Sequence, residues 1–343
     1  MREIKITEKE AGQRLDRYLQ KYLPLAPKSF FYKMLRKKNI TCNGKKAEGS
    51  QKLEEGDLLK LFFAEETLAS FSSAKPETVP PQRRLKKVLQ PSVLYEDESF
   101  LIFNKPAGLL SQKARPEDIS LVEYLISYLM DEGSLKTEDL SGFRPSICNR
   151  LDRNTSGLVL AGKTVRGLQA FSEMLRQRTG HKFYLTLVKG VIEKPSRVRG
   201  FLCKDGHTNQ VSVHEEEKEG TSFIETAYEP LGNNGKSTLL RVELVTGKPH
   251  QIRSHLAFLG HPVAGDQKYG DFVQNSFYRK KYQLTHQLLH AWEIDFPDDS
   301  SLGQLAGKKV QAPLPSLFLE ILRGEGLDKF LGGQERREKN VWQ

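Results

Sequence analysis

Between residues 14 and 23 the stretch RLDRYLQKYL places Leu15, Tyr18, Leu19, Tyr22 and Leu23 at spacings of three and four, which predicts a helix with one buried face. Just upstream, EIKIT reads as a short strand. PKSFFYKMLRKK predicts a second helix, with Ser29 as its N-cap and Phe30, Phe31, Met34 and Leu35 available for burial. ITCNGKK predicts a strand entering an Asn-Gly turn, and LEEGDLLKLFF a closing strand. Residues 1–63 thus read as one small α/β unit. In residues 64–90, AEETLASFSSAKPETVPPQRRLKKVLQ, the periodicity disappears, which predicts a flexible linker with a basic tail at 83–87.

Residues 91–327 read as one larger domain. SVLYE, FLIFN, LVLAGK, KFYLTLVKGVI, NQVSVH, SFIETAYEPL, STLLRVELVTG and LLHAWEIDF alternate or carry β-branched and aromatic residues, as strands do. SLVEYLISYLMDEG, TVRGLQAFSEMLRQR and HQIRSHLAFLG read as helices between them. Strands outnumber helices and many are joined by short turns. The expected class is α+β, with a mixed, largely antiparallel sheet. Residues 328–343 read as a frayed tail.

Charge narrows the choice of partners. The 343 residues carry a formal net charge of +10 and are 38% hydrophobic. That excess favours a polyanion, nucleic acid before a membrane surface. It is concentrated locally: Lys28, Lys33, Arg36, Lys37, Lys38, Lys45 and Lys46 fall in nineteen residues with no acidic one, which predicts phosphate contact. No apolar stretch approaches the ~18 residues of a membrane-spanning helix. Cys42, Cys148 and Cys203 are far apart and never in CxxC spacing, so neither a disulfide framework nor a cysteine zinc site is expected. The N-terminus, MREIKITEKEAGQR, has no apolar run, so no secretory signal is expected, and a reducing cytoplasm fits. His250, His255 and His261 form a close histidine set, and their spacing is not that of a metal motif.

The tetrapeptide RLDR occurs twice, at 14–17 and at 150–153. In the first copy Asp16 lies within an amphipathic helix and reads as a surface charge between arginines. The second, NRLDRNTSG, is a polar loop that runs straight into the apolar LVLAG. A loop braced by a buried strand is where catalytic groups are commonly held. Neighbouring guanidinium groups favour an ionised carboxylate, and an ionised Asp in a dry pocket is a nucleophile. The residues alone leave a second reading open, in which Asp152 pins its own loop through backbone N–H groups.

NRLDRNTSGLVLAGKT resembles the signature loop of the pseudouridine synthases that modify large-subunit ribosomal RNA and some tRNA, in which an R-L-D-x-x-T-S-G core carries the catalytic Asp. NKPAGLL at 104–110, KFYLTLVKG at 182–190 and VTGKPHQIRSHLAFLGHPVAGDQKYG at 245–270 resemble the family's other segments and follow in its order. Residues 1–63 resemble the alpha-L RNA-binding module often fused ahead of such enzymes. Asn149 stands where many relatives have His, and Lys248 and Pro249 where Arg and Thr are commoner.

The resemblance implies isomerisation of specific uridines to pseudouridine in structured RNA, with large-subunit ribosomal RNA ahead of tRNA. It implies no cofactor and no metal, because nothing is oxidised and no group is donated. It assigns Asp152 as nucleophile or carboxylate base. Tyr184 stacks on the uracil and assists at the ring carbon, and Arg253 pairs with Asp152. Arg150, Thr155, Ser156, Lys105, His250 and Gln251 line the site or hold phosphate and ribose. Arg153 fills the gap left by a flipped base, and His290 braces the wall. Lys28, Lys33, Arg36, Lys37 and Lys38 contact RNA. A monomer is expected. Two rivals remain: a non-catalytic RNA-binding or ribosome-assembly factor, and a glycoside hydrolase using Asp152 with Asp266.

Overall fold

The computed structural model describes residues 1–72, 89–205 and 210–332. Most of the expected linker, its basic tail at 83–87 and the end of the chain from 333 lie outside the described residues. In chain order the elements are β1 (Arg2–Lys5), α1 (Leu15–Tyr22), α2 (Lys28–Arg36), β2 (Ile40–Cys42), β3 (Lys45–Lys46), β4 (Leu58–Leu61), α3 (Glu65–Phe71), β5 (Ser92–Glu96), β6 (Phe100–Lys105), α4 (Leu121–Asp131), β7 (Ser146–Ile147), β8 (Ser156–Gly162) and α5 (Val165–Gln177). Then follow β9 (His181–Lys189), β10 (Ser196–Lys204), β11 (Val211–His214), β12 (Ser222–Asn233), β13 (Ser237–Leu244), α6 (Gln251–Phe258), α7 (Phe272–Tyr282), β14 (Leu289–Asp295), β15 (Lys309–Gln311) and α8 (Ser316–Gly324).

They gather into two compact units, Met1–Ile102, Gln112–Asn149 and Leu160–Glu173 in the first, Phe103–Ser111, Arg150–Val159 and Met174–Gln343 in the second. The division therefore runs through the span 91–327 and not at the expected linker. The reason lies in the first unit's own bonds. Lys9 pairs with Asp139 at 2.7 Å, its carbonyl accepts from the Val165 N–H at 2.9 Å, and Gln13 donates to the Gly142 carbonyl at 3.3 Å. The N-terminal segment is thus packed onto residues far along the chain.

Within that unit a four-stranded sheet runs in the order β1-β4-β2-β3. Leu15, Tyr18, Leu19 and Leu23 bury as the periodicity predicts, against Phe31, Leu35, Ile40 and Leu59. Asn43 and Gly44 both take positive φ between Cys42 and Lys45, the two-residue turn that the sequence announces. Three expectations change. Pro27, not Ser29, caps α2, and no side chain bonds there. Residues 65–71 are helical, with Leu68 in the core, so the small unit extends past 63. Asp16 is more than a surface charge, since it accepts from Arg14 at 2.7 Å and from the Tyr32 hydroxyl at 2.9 Å, tying α1 to α2.

The second unit is built on the sheet order β11-β10-β12-β13-β9-β14. All these neighbours are antiparallel, and β14 then pairs in parallel with β8 at His290 and Ser156. This is the mixed, largely antiparallel sheet expected. Leu185, Leu187 and Leu239 from the sheet pack with Tyr278, Tyr282, Phe318, Ile321 and Leu322 of α7 and α8. Neither helix is among those expected, although Leu317, Phe318, Ile321 and Leu322 of α8 repeat at helical spacing. Phe330 and Leu331 also pack partly onto this core, so the chain stays folded beyond 328.

Candidate active site

The Asp152 loop sits on a floor made by residues 105–111. Lys105 is fully buried and donates to three carbonyls, those of Pro106 at 3.0 Å, Leu109 at 2.8 Å and Arg153 at 3.0 Å. Three acceptors match the three N–H bonds of an ammonium. Burial nevertheless pushes its pKa down to about 7, with the charge of Asp152 opposing the shift. The Gly108 N–H donates to the Arg153 carbonyl and the Arg153 Nε donates back to the Gly108 carbonyl. Ser111 accepts from the Leu151 N–H and donates to the Leu151 carbonyl. The loop closes on itself through the Thr155 N–H to the Asp152 carbonyl at 3.0 Å. A polar loop thus acquires a fixed shape, because these backbone groups are satisfied by protein and not by water. Lys105→Met keeps the length and removes the donors. It should cost about 3 kcal/mol in denaturant unfolding, since unpaired buried acceptors are expensive; a change below about 0.5 kcal/mol would contradict this bracing.

Opposite the loop, α6 begins at His250, a non-glycine residue at φ 54°. Such strain persists where surrounding structure over-determines it. Here His250 Nδ1 lies 2.9 Å from the Tyr269 hydroxyl, which also accepts from the Val211 N–H. Gln251 is consumed locally, accepting from the Thr246 hydroxyl and the Lys248 N–H and donating to the Glu225 carbonyl. These bonds aim the first turn, and Arg253 with it.

Arg253 carries two carboxylates. Its Nη1 meets Asp152 Oδ2 at 2.7 Å, while Nε and Nη2 grip Asp266 in a fork at 2.6 and 2.8 Å. Burial works against its charge, but Asp266 first and Asp152 second outweigh burial and raise its pKa. The side chain of Asp266 is fully buried and also accepts from the Lys268 and Tyr269 N–H groups, whereas that of Asp152 is about a quarter exposed. The two acids are therefore unequal: one anchors the arginine, the other faces outward. His250 Nε2 stands 3.8 Å from Asp152 Oδ1, and burial lowers its pKa.

A small cavity of about 60 Å³ opens at Asp152, lined by Arg150, Leu151, Thr155, Tyr184, Leu244, Lys248, His250, Gln251, Ile252, Arg253 and Leu289. Tyr184 comes from β9, between Val242 of β13 and Ala291 of β14. Burial, then the charge of Asp152, raises its phenol pKa. The side chain offers the cavity a flat face. Phe183 stacks under Arg241 at 3.7 Å, and Leu185 enters the core.

The expected site residues thus divide. Asp152, Tyr184, Arg253, Arg150, Thr155 and His250 converge on the cavity. Gln251 also lines the cavity, with its amide held by Thr246, Lys248 and Glu225, and Lys105 acts from beneath as a brace. Arg153 is exposed on the loop. Ser156 is buried and bonded to His290 Nδ1 at 2.8 Å, behind the lining. Lys28, Lys33, Arg36, Lys37 and Lys38 are exposed in the first unit, on and after α2. Sequence reasoning gives Asp266 and Tyr269 no part in an isomerase site, although both stand in AGDQKYG. Among the described residues no group of three or more acidic, His or Cys side chains could hold a metal.

The fold is that of a pseudouridine synthase. The human RNA pseudouridylate synthase domain containing 4 superposes with a TM-score of 0.55 at 20% identity, over 70% of this chain and 94% of that one. The family model described as RNA pseudouridylate synthase matches residues 99–258. Ribosomal large subunit pseudouridine synthase C of Pasteurella multocida is 32% identical over 93% of this chain and 92% of its own length. The protein of that name from Escherichia coli K12 is 32% identical over 91% and 92%. The chain belongs to the RNA pseudouridylate synthase family.

Proposed function

We propose that this protein isomerises specific uridines of large-subunit ribosomal RNA to pseudouridine, with Asp152 as the reacting carboxylate. The observation that carries this reading is the pairing of Asp152 with Arg253 at the mouth of a cavity walled by Tyr184. The names of the relatives support the RNA class. Their bacterial sources support the cytoplasm.

The reaction breaks the bond between ribose C1′ and uracil N1 and forms one between C1′ and C5. In net terms the C5 proton is given up and N1 gains one, so no oxidant or donor is consumed. The target base first leaves the RNA stack, at a few kcal/mol. Tyr184 offers the released ring a planar face, and Asp152 adds to the electrophilic carbon it meets there; that bond breaks again as C5 is joined to C1′, which returns the free carboxylate. Arg253 keeps that carboxylate charged and oriented before substrate arrives, so little reorganisation is needed during the reaction. Arg150 and Lys248, at the rim, are placed for phosphate. The glycosidase reading loses its second acid, since Asp266 is sealed away by Arg253 and two backbone N–H groups. The experiment is direct: unmodified large-subunit ribosomal RNA is incubated with the purified protein and pseudouridines are mapped. New sites are expected. None in that RNA, with the protein folded, defeats the reading.

The N-terminal unit serves as an RNA handle of the alpha-L type. Its support is the one-signed basic run on and beyond α2, exposed at Lys28, Lys33, Arg36, Lys37 and Lys38. Replacing Lys33, Arg36 and Lys37 by Gln should weaken RNA binding. The slope of log affinity against log salt should also fall, by roughly 0.7–0.9 for each phosphate left without its cation. Substitution is preferable to deletion, because Lys9 and Gln13 bond within the same unit to Asp139 and Gly142. An unchanged slope would mean that this run does not touch phosphate.

A further inference from the structure

We infer that the outward face of α7 is a second RNA-contact surface, on which unpaired bases flanking the target uridine stack. The inference rests on the function proposed above. Phe272, Val273 and Phe277 are 84%, 75% and 47% exposed, an unusual set of large apolar groups in water on one short helix. At 100° per residue they do not stand alone. Going round the exposed side, the order is Arg279, Phe272, Ser276, Lys280, Val273, Phe277, Lys281. The opposite side carries Tyr278 and Tyr282, which enter the core.

Apolar rings interleaved with cations form the pattern that holds single-stranded nucleic acid, the rings taking base faces and the cations taking phosphates. No acidic residue lies between 272 and 282. Asp271 is engaged by Lys189 at 2.6 Å, and Lys281 is itself paired with Glu325 at 2.9 Å, so the phosphate-facing charge of this surface rests on Arg279 and Lys280. Lys281 also reaches over the Phe277 ring at 5.4 Å, bringing charge to that ring's face.

The helix is fastened to the catalytic loop system. Asn275 accepts from the Gly265 N–H at 2.7 Å and donates to the Asp266 carbonyl at 2.8 Å. Asp266 is the residue that forks onto Arg253. These two bonds fix α7 to the segment that carries Asp266, from the side of the helix away from Val273, Phe277 and Lys280.

The test uses the full chain with Phe272 and Phe277 both replaced by Ala. Both rings are exposed, so thermal unfolding should stay within about 2 °C of wild type. On an unmodified large-subunit ribosomal RNA transcript, kcat/KM and affinity should fall about tenfold or more, with single-turnover kcat nearly unchanged. Ultraviolet cross-linking of the wild type should yield a nucleotide adduct at Phe272 or Phe277, identified by mass spectrometry. Equal kcat/KM, equal affinity and no adduct would overturn the surface. So would a loss seen only in binding to anionic phospholipid vesicles, with RNA binding intact, because a basic amphipathic helix can also lie on a membrane. The two readings separate cleanly. If the wild type forms no pseudouridine but the double variant loses affinity for the transcript, the surface stands and the catalytic reading falls.

Discussion

Asp152→Asn should abolish pseudouridine formation, lowering single-turnover kcat by at least about 10⁴-fold, the scale expected when a reacting carboxylate is lost. The amide keeps the size of the side chain and one oxygen for Arg253 Nη1, which lies 2.7 Å from the carboxylate. Transcript affinity should therefore stay within about threefold. The stability change should also be small, about 1 kcal/mol or less, because the Asp152 side chain is about a quarter exposed and Arg253 retains its fork to Asp266. Asp152→Ala separates this enzyme from a binding factor that merely grips RNA. Were either variant to isomerise uridine at an appreciable rate, the carboxylate would not be the reacting group.

The second large effect lies behind the arginine. Asp266→Ala leaves Arg253 Nε and Nη2 unpaired in a buried place, where both bonds in the native protein are shorter than 3 Å. Breaking a buried pair from one side costs about 3–5 kcal/mol. The arginine is then free to swing, and misplacing a catalytic partner by about 1 Å costs on the order of 100-fold in rate. Both effects should be seen, the first in denaturant unfolding and the second in kcat with KM little changed. Arg253→Lys gives an independent reading. A lysine keeps the charge but cannot fork onto Asp266 while reaching Asp152. Its kcat should fall about 100-fold even where the fold survives. An Arg253→Lys protein with full activity would show that charge alone suffices and that the fork has no part in positioning.

Legibility was uneven, for reasons that residues make plain. The helix at 15–22 and the Asn-Gly turn at 43–44 were readable because their signals are local, one a repeat of 3–4 and the other a requirement for positive φ. α7 was not, because Phe272, Val273 and Phe277 face outward and spoil the amphipathic pattern that marks a helix. Within the site, Asp152 stood out through the loop around it. Ser156 looked like a ligand group in the same loop, yet β8 begins there and turns its hydroxyl to His290. Lys105 read as a substrate-binding group, because nothing in a sequence says that three carbonyls will claim its ammonium first.

What the chain itself determined is the inventory: the elements with clean periodicity, the sign and place of the basic run, and a carboxylate in a polar loop ahead of a buried strand. What the tertiary structure alone decided is which partners meet. Asp152 and Asp266 stand 101 and 13 residues from Arg253 along the chain, and one guanidinium joins them. Local preference acts over a few residues, whereas an ion pair needs groups that only the packed sheet and the α6 turn bring within 3 Å.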